Sequence, residues 1–342
     1  MTKNILFICG SLNQTTIMRK IAAQLGEHSC TFTPYYADGL EDFGARMGWL
    51  DFSVLGGRHR KATVDYLARH NLPVDWRGEG RDYDLVVTCS DLIIQKNIRN
   101  KRIVLVQEGI TEPEGWMYRL VKRFRLPRYL ANTAAAGLSG AYDVFCVASE
   151  GYARHFVRKG VRKEKIAITG IPNFDDLKSA FDNDFPYHGH ALVATTPFRE
   201  SFRPDDRAAF IEKCNRLADG RLLIFKLHPA ENVERATREI RRHSPDALIL
   251  TEGNVNHMIA NASLVITQQS TSTFVALALG KEVDTYLDAQ ALKDLMPIQN
   301  GGASAKRIAE VCRRVLHAPV RAMEKVRRGY PARPKWDRAD GF

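Results

Sequence analysis

At 342 residues the chain is too long for one small core and suits two domains of about 150–180 residues, each burying its own. Hydrophobic content of 44% and charged content of 26% are those of a soluble globular protein, and no apolar run approaches the roughly 20 residues that a membrane helix needs. A formal net charge of +11 asks for an anionic partner, whether nucleic acid, anionic lipid or a phosphorylated substrate.

Strand-like apolar runs alternate with amphipathic helical stretches, the pattern of a parallel α/β sheet. Ile5–Cys9 is a first buried strand running into a Gly10-Ser11 turn; it is too short, and wrongly ended, for a signal peptide. Thr16–Leu25 follows as a helix, then a strand at Cys30–Pro34, an ambiguous Asp51–Leu55 and a helix at Lys61–His70. Leu85–Cys89, Arg102–Val106, Val144–Ala148 and Ile166–Thr169 are further strands, with Glu150–Lys159 a helix closed by Gly160. Met117–Leu130 reads as a basic amphipathic helix. Around Asp182–Gly189 the composition shifts to Asp, Asn, Pro, His and Gly, the best linker, and a second cycle begins. Its strands are Ala191–Ala194, Leu222–Lys226, Ala247–Leu250, Leu264–Thr267 and Val283–Tyr286, with helices at Phe274–Leu279 and Ser304–Leu316. The expected division is 1–182, 190–316 and a basic tail, 317–342. Two such domains, doubly wound and facing each other, would share a cleft at the carboxyl ends of their strands.

Cys9, Cys30, Cys89, Cys146, Cys214 and Cys312 are scattered and form no CxxC pair, which points to a reducing, cytoplasmic setting and away from a zinc site. The basic excess gathers in Arg119–Arg128 and from Arg313 onward, without an RNP, zinc-finger or helix-turn-helix signature, so no nucleic-acid partner is expected. A basic amphipathic segment lies on an anionic membrane or grips a lipid phosphate, or else is a solvated face whose Arg stems cover the core.

Three segments put polar residues directly after a buried strand. Lys226-Leu227-His228-Pro229 delivers a cation and a hydrogen-bond donor suited to a phosphate, unless His228 only bonds a backbone carbonyl. Thr267-Gln268-Gln269-Ser270-Thr271-Ser272-Thr273 offers hydroxyls and N–H groups at a helix start, an anion site beyond what one N-cap needs. Glu108, in Gln107-Glu108-Gly109, is placed as a general base towards a hydroxyl, with Glu112 and Glu114 as nearby alternatives. Gly10-Ser11-Leu12-Asn13 and Gln299–Ser304 are weaker polar loops, the latter readable as a helix cap. Asp175-Asp176 and Asp205-Asp206 are neighbours in turns and make poor chelating pairs.

The second half resembles the nucleotide-binding domain of GT-B glycosyltransferases. The likeness rests on Asp143–Tyr152 and Lys165–Asp175, then on Ala262–Thr267 through Ser270-Thr271-Ser272 to Leu277-Ala278-Leu279-Gly280-Lys281. The ordered trio of acid-Gly, His-Pro and Ser/Thr-Ser is similar to bacterial sialyltransferases and Kdo transferases that use CMP-activated sugars. CDP-glycerol glycerophosphotransferases and the non-hydrolysing UDP-N-acetylglucosamine 2-epimerases share the layout. The resemblance covers most of residues 100–315 and implies an acceptor-side first domain and a nucleotide-binding second one. It implies Glu108 as base and Lys226, His228, Gln269, Ser270, Thr271 and Ser272 on the donor phosphate. It further implies a metal-independent, cofactor-free transfer from a nucleotide-sugar donor to a glycan or lipid-linked acceptor at or near the membrane. Val275 stands where many of these enzymes carry a ribose-binding Glu, and Glu282 where a Pro is usual. That leaves room for a CMP donor, an unusual ligand or a non-catalytic relative.

Overall fold

The computed structural model describes residues 2–319 apart from 52, 125 and 202. Most of the expected basic tail therefore lies outside the described residues. The chain divides into two compact units, Met1–Asp175 with Asn300–Phe342, and Asp176–Gln299.

In the first unit β1 (Asn4–Cys9) runs into α1 (Leu12–Ala22), β2 (Ser29–Pro34), α2 (Gly39–Arg46), α3 (Gly57–Arg69), β3 (Leu85–Thr88) and β4 (Arg102–Val106). Then come α4 (Trp116–Phe124), β5 (Val144–Val147), α5 (Glu150–Lys159) and β6 (Ile166–Ile168). The strands pair in parallel in the order β2-β1-β3-β4-β5-β6. Ile5 to Cys9 are wholly buried, as a central parallel strand covered on both faces demands. Ser11 starts α1 by accepting the Gln14 N–H at 3.2 Å, and Gly160 ends α5 at φ 111°, where a side chain would be strained.

The basic helix is shorter than expected. α4 stops at Phe124, before Pro127, which lacks the N–H that a helix needs, and a 3-10 turn follows over Arg128–Ala135. Arg128 turns inward and donates to the Asp91 carbonyl at 3.3 Å, so it leaves the exposed basic face.

The second unit contains β7 (Ala191–Ala194), α6 (Arg207–Ala218), β8 (Leu223–Lys226), α7 (Val233–His243) and β9 (Leu248–Leu250). It continues with α8 (Val255–Asn261), β10 (Leu264–Thr267), α9 (Ser272–Ala278), β11 (Glu282–Asp284) and α10 (Ala289–Leu295). Its order is β11-β10-β7-β8-β9, again parallel. Phe210 and Cys214 of α6 and Ile240 of α7 pack on Val193, Phe225 and Ile266 of the sheet. Each such large side chain contributes roughly 1.5–3 kcal/mol by leaving water.

The division falls at Asp175/Asp176, before the expected linker, because the turn Leu177–Phe181 packs on α8 and Asn183 accepts from Asn261 at 2.7 Å. A second difference concerns the last helix, α11 (Ser304–His317), expected to close the second domain. It belongs to the first unit, packed on α1 and on β3 to β5. Arg102 donates to the carbonyls of Val315, Leu316 and Ala318, and Arg313 pairs with Glu27 at 2.6 Å. The apolar stripe of α11 is generic; the sheet it covers is a tertiary choice.

Candidate functional site

Strand order points to a candidate site in the second unit. β8 and β9 lie on one side of β7, β10 and β11 on the other, so the order in which strands are added reverses between β7 and β10, although all run parallel. Ligands of open parallel sheets gather at such a switch point, beyond the carboxyl ends of the strands. Ala194 at the end of β7 is in register with Lys226 on one side and Thr267 on the other, so the His228 and Ser270 loops leave the sheet about two strand spacings, roughly 10 Å, apart.

Two adjacent threonines join those loops. Thr195 Oγ1 accepts the His228 N–H at 2.9 Å and Thr196 Oγ1 accepts the Gln269 N–H at 3.3 Å. Beneath them is a buried ionic network. Glu231 accepts from His228 N at 2.9 Å, from the Thr195 hydroxyl and from Arg207 Nη2 at 2.6 Å, while Arg207 Nε reaches Asp205 at 3.1 Å. Asp205 also takes Gln268 Nε2 at 3.3 Å. Asp205 thereby has a structural role, anchoring cations rather than chelating.

The expected ligand groups separate into two kinds. His228 Nδ1 accepts the Ala230 N–H at 3.1 Å, so in the neutral ring the proton resides on Nε2, which makes that edge a donor. Lys226 is buried, and its Nζ donates to the carbonyls of Leu227 at 3.1 Å and Thr251 at 2.7 Å. Burial lowers its pKa, opposed by Glu252 and Glu231. It acts as a strut between β8 and the segment after β9, with two of its three hydrogens spent on those carbonyls. Ser270 Oγ accepts the Ser272 N–H at 3.2 Å, and Thr273 is buried against Thr267 at 2.9 Å. Two of the four consecutive hydroxyls thus build the loop, while Thr271 is exposed and Ser272 half-buried. Gln269 is held by Arg203 at 2.8 Å, whose guanidinium lies over Phe198 at 4.4 Å.

In the first unit Glu108 follows β4 and its carboxylate is held by the loop after β1. Oε1 accepts from Ser11 at 2.8 Å and Asn13 at 3.3 Å, and Oε2 from Gln14 at 2.5 Å. Three of the about four lone-pair positions of a carboxylate are filled, leaving one on Oε2 for a further hydrogen. Asn13 is itself fixed by Asn173 at 2.8 Å. Gly10 carries no side chain because a Cβ there would meet Gln14 Oε1 at 2.0 Å. His59 near the start of α3 feels the Glu108 charge; burial lowers its pKa while Glu108 pulls it the other way. Burial, then Glu108, push the Cys89 thiol far up, which silences it as a nucleophile. Glu112 and Glu114 are exposed and take no part in this cluster.

No family model matches the sequence and no curated protein matches it significantly. Solved structures do. MnaA of S. aureus in a co-structure with UDP aligns at TM-score 0.61 and 13% identity, over 92% of this chain and 97% of that one. UDP-GlcNAc 2-epimerase from Neisseria meningitidis bound to UDP-GlcNAc aligns at 0.55 and 10%, over 91% and 100%. The wall teichoic acid polymerase TagF soaked with CDPG aligns at 0.50 and 11%, over 92% and 88%. The fold is GT-B-like.

Within this GT-B-like frame Val275 is buried in α9 among Phe274 and Ala276, so its position serves the core of the unit. The polar loop 300–304 wraps Asp175, which accepts Asn300 N at 2.9 Å, Gly301 N at 3.0 Å and Ser304 N at 2.7 Å. It is a cap for α11. Reading the chain for motifs missed Thr195, Thr196, Arg203, Arg207, Glu231 and His59. The usable signals were the Thr-Thr pair directly after a buried strand and the Gly56-Gly57 pair, since a Cβ on Gly57 would meet the Asp51 carbonyl oxygen at 2.1 Å. Among the described residues no helix is long and apolar enough to cross a membrane.

Proposed function

We propose that the protein transfers a sugar from a nucleotide donor to a hydroxyl of a glycan or lipid-linked acceptor. The observation that carries this reading is the Thr195–Thr196 pair, which holds the His228 turn and the Gln269–Ser272 loop together at the switch point of the second unit. Glu108 takes the proton of the acceptor hydroxyl, whose oxygen bonds to the anomeric carbon as the bond from that carbon to the donor phosphate breaks. The electron pair leaves on the phosphate, and its charge falls to the His228 Nε2–H and the hydroxyls of Thr271 and Ser272. Arg203 adds a nearby cation. The ligands of the similar structures, UDP, UDP-GlcNAc and CDPG, support a nucleotide-linked donor.

The buried Val275 favours a second reading, in which the ribose is held differently or turnover is lost. A thermal-shift panel of CMP, CDP, UDP, GDP and TDP finds the donor base, because a ligand of the native state raises its stability. Glu108→Gln is expected to leave nucleotide binding intact and cut turnover about a hundredfold or more. Loss of binding in that variant refutes its role as base. Product from donor alone selects the epimerase, and tight binding without turnover of any donor selects a non-catalytic relative.

A further inference from the structure

Apart from the Glu108 cluster, the first unit holds a cavity of about 470 Å³, a volume that seats a small ligand. Its walls come from segments following β2 (Asp38, Glu41), β3 (Ile93, Lys96, Arg99) and α4 (Arg128). The two acids are occupied. Asp38 accepts the Lys96 N–H at 2.6 Å and Arg77 at 3.3 Å, and Glu41 accepts the Tyr129 hydroxyl. The three cations have no carboxylate partner among the described residues. Arg99 spends only Nε, on the Ile94 carbonyl at 3.2 Å. Arg128 has its Nε buried without an acceptor, a state that calls for an absent anion or water.

Exposed apolar side chains adjoin the lining residues along the chain. Leu40, between the lining residues Gly39 and Glu41, is 85% exposed, and Trp49, 64% exposed, meets the Phe43 ring of α2 edge-on at 5.7 Å. Leu126, next to the lining residue Pro127, is exposed, as are Phe124 at 65% and Arg119 and Arg123 of α4. Large rings and guanidinium groups displayed together fit the boundary between headgroups and acyl chains. We propose that the cavity seats the phosphate of an anionic amphiphile in a membrane, with the amphiphile's hydrocarbon part lying against those exposed apolar side chains. A free inorganic anion would satisfy the cations and leave Leu40, Trp49 and Phe124 in water. The proposal is independent of the glycosyl-transfer reading, since it uses none of that site's residues.

The test is co-sedimentation of the full chain with phosphatidylcholine vesicles, with and without phosphatidylglycerol. Binding is expected only with phosphatidylglycerol, and Lys96→Ala/Arg99→Ala weakens it about thirtyfold, each cation near an anionic surface contributing roughly fivefold. The pair Lys61→Ala/Arg69→Ala removes the same charge from α3 and is expected to leave binding within about twofold. Equal loss in both pairs, or loss in neither, overturns the proposal, the first by reducing it to net charge. A second arm titrates monomeric dioctanoyl phosphatidic acid and inorganic phosphate; the amphiphile binds at least about tenfold tighter, each buried CH₂ adding to its affinity. Equal affinity for the two means a plain anion site and overturns the amphiphile.

Discussion

Glu231→Gln is the sharpest perturbation of the second-unit site, because a nearly isosteric change disturbs three bonds at once. The carboxylate presents two acceptors, Oε1 to Arg207 Nη2 at 2.6 Å and Oε2 to His228 N at 2.9 Å and the Thr195 hydroxyl. The amide presents one acceptor and two donors. With its nitrogen towards Arg207 it faces a guanidinium; with its nitrogen on the other side it faces the His228 N–H. Either way a buried donor loses its acceptor, which costs about 1.5–3 kcal/mol for a charge-assisted bond. Arg207 keeps Asp205 at 3.1 Å, so the loss stays below the about 3–5 kcal/mol of a fully stranded buried ion. A net loss of about 2–3 kcal/mol lowers Tm by roughly 6–9 °C for a domain of this size. Loosening of the His228 turn also weakens nucleotide binding, by about tenfold for each 1.4 kcal/mol of lost anchoring. Circular-dichroism melts and nucleotide titration of the full chain read both effects. A Tm within about 1 °C of the parent, with unaltered nucleotide affinity, refutes the idea that this network builds the site.

Three more predictions follow from single contacts. Gly10→Ala places a Cβ 2.0 Å from Gln14 Oε1, the end of a flexible side chain, so stability falls by under about 1 kcal/mol while Glu108 loses its Oε2 donor. Turnover is expected to fall about tenfold with the melt nearly unmoved, and an unchanged kcat would show Gln14 to be idle. His190 is wholly buried beside Phe185, and burial lowers its pKa to about 4. Its folded pKa lies below the ordinary value near 6.5, so it contributes stability above that pH and loses about 2–3 kcal/mol as pH falls towards 4. His190→Phe should flatten that part of the urea-midpoint profile between pH 7 and 4; an unaltered profile assigns the acid sensitivity elsewhere. Val275→Glu puts a carboxylate into the core of the unit, lowering stability by about 2 kcal/mol or more without improving UDP affinity. Tighter UDP binding in that variant would show that position 275 faces the ligand after all.

Half of the candidate site's groups were legible from motifs. Glu108, His228 and the Ser270–Ser272 run were visible because each directly follows a buried strand, and sequence neighbours state that placement without folding. The structural bond of Lys226 was not legible, because its ammonium answers to the Thr251 carbonyl, 25 residues away. Thr195, Thr196, Arg207 and Glu231 carried no motif, since what makes them a unit is pairing across 24 to 73 residues. Ser11 and Asn13 read as one weak glycine turn, and Gln14 carried no signal, because Glu108 meets them only from 94 to 97 residues on.

By itself the amino-acid order determined two parallel α/β units. A strand buried on both faces must be a continuous apolar run, and a helix covering it must repeat apolar residues every third or fourth place. Both are local and survive in one dimension. Only the tertiary structure decided that α11 covers the first sheet, that α4 ends at Phe124 with Arg128 turned inward, and which charges are spent on partners. An apolar stripe fits any apolar sheet, and a cation fits any carbonyl or carboxylate. Complementarity between distant surfaces chooses among them.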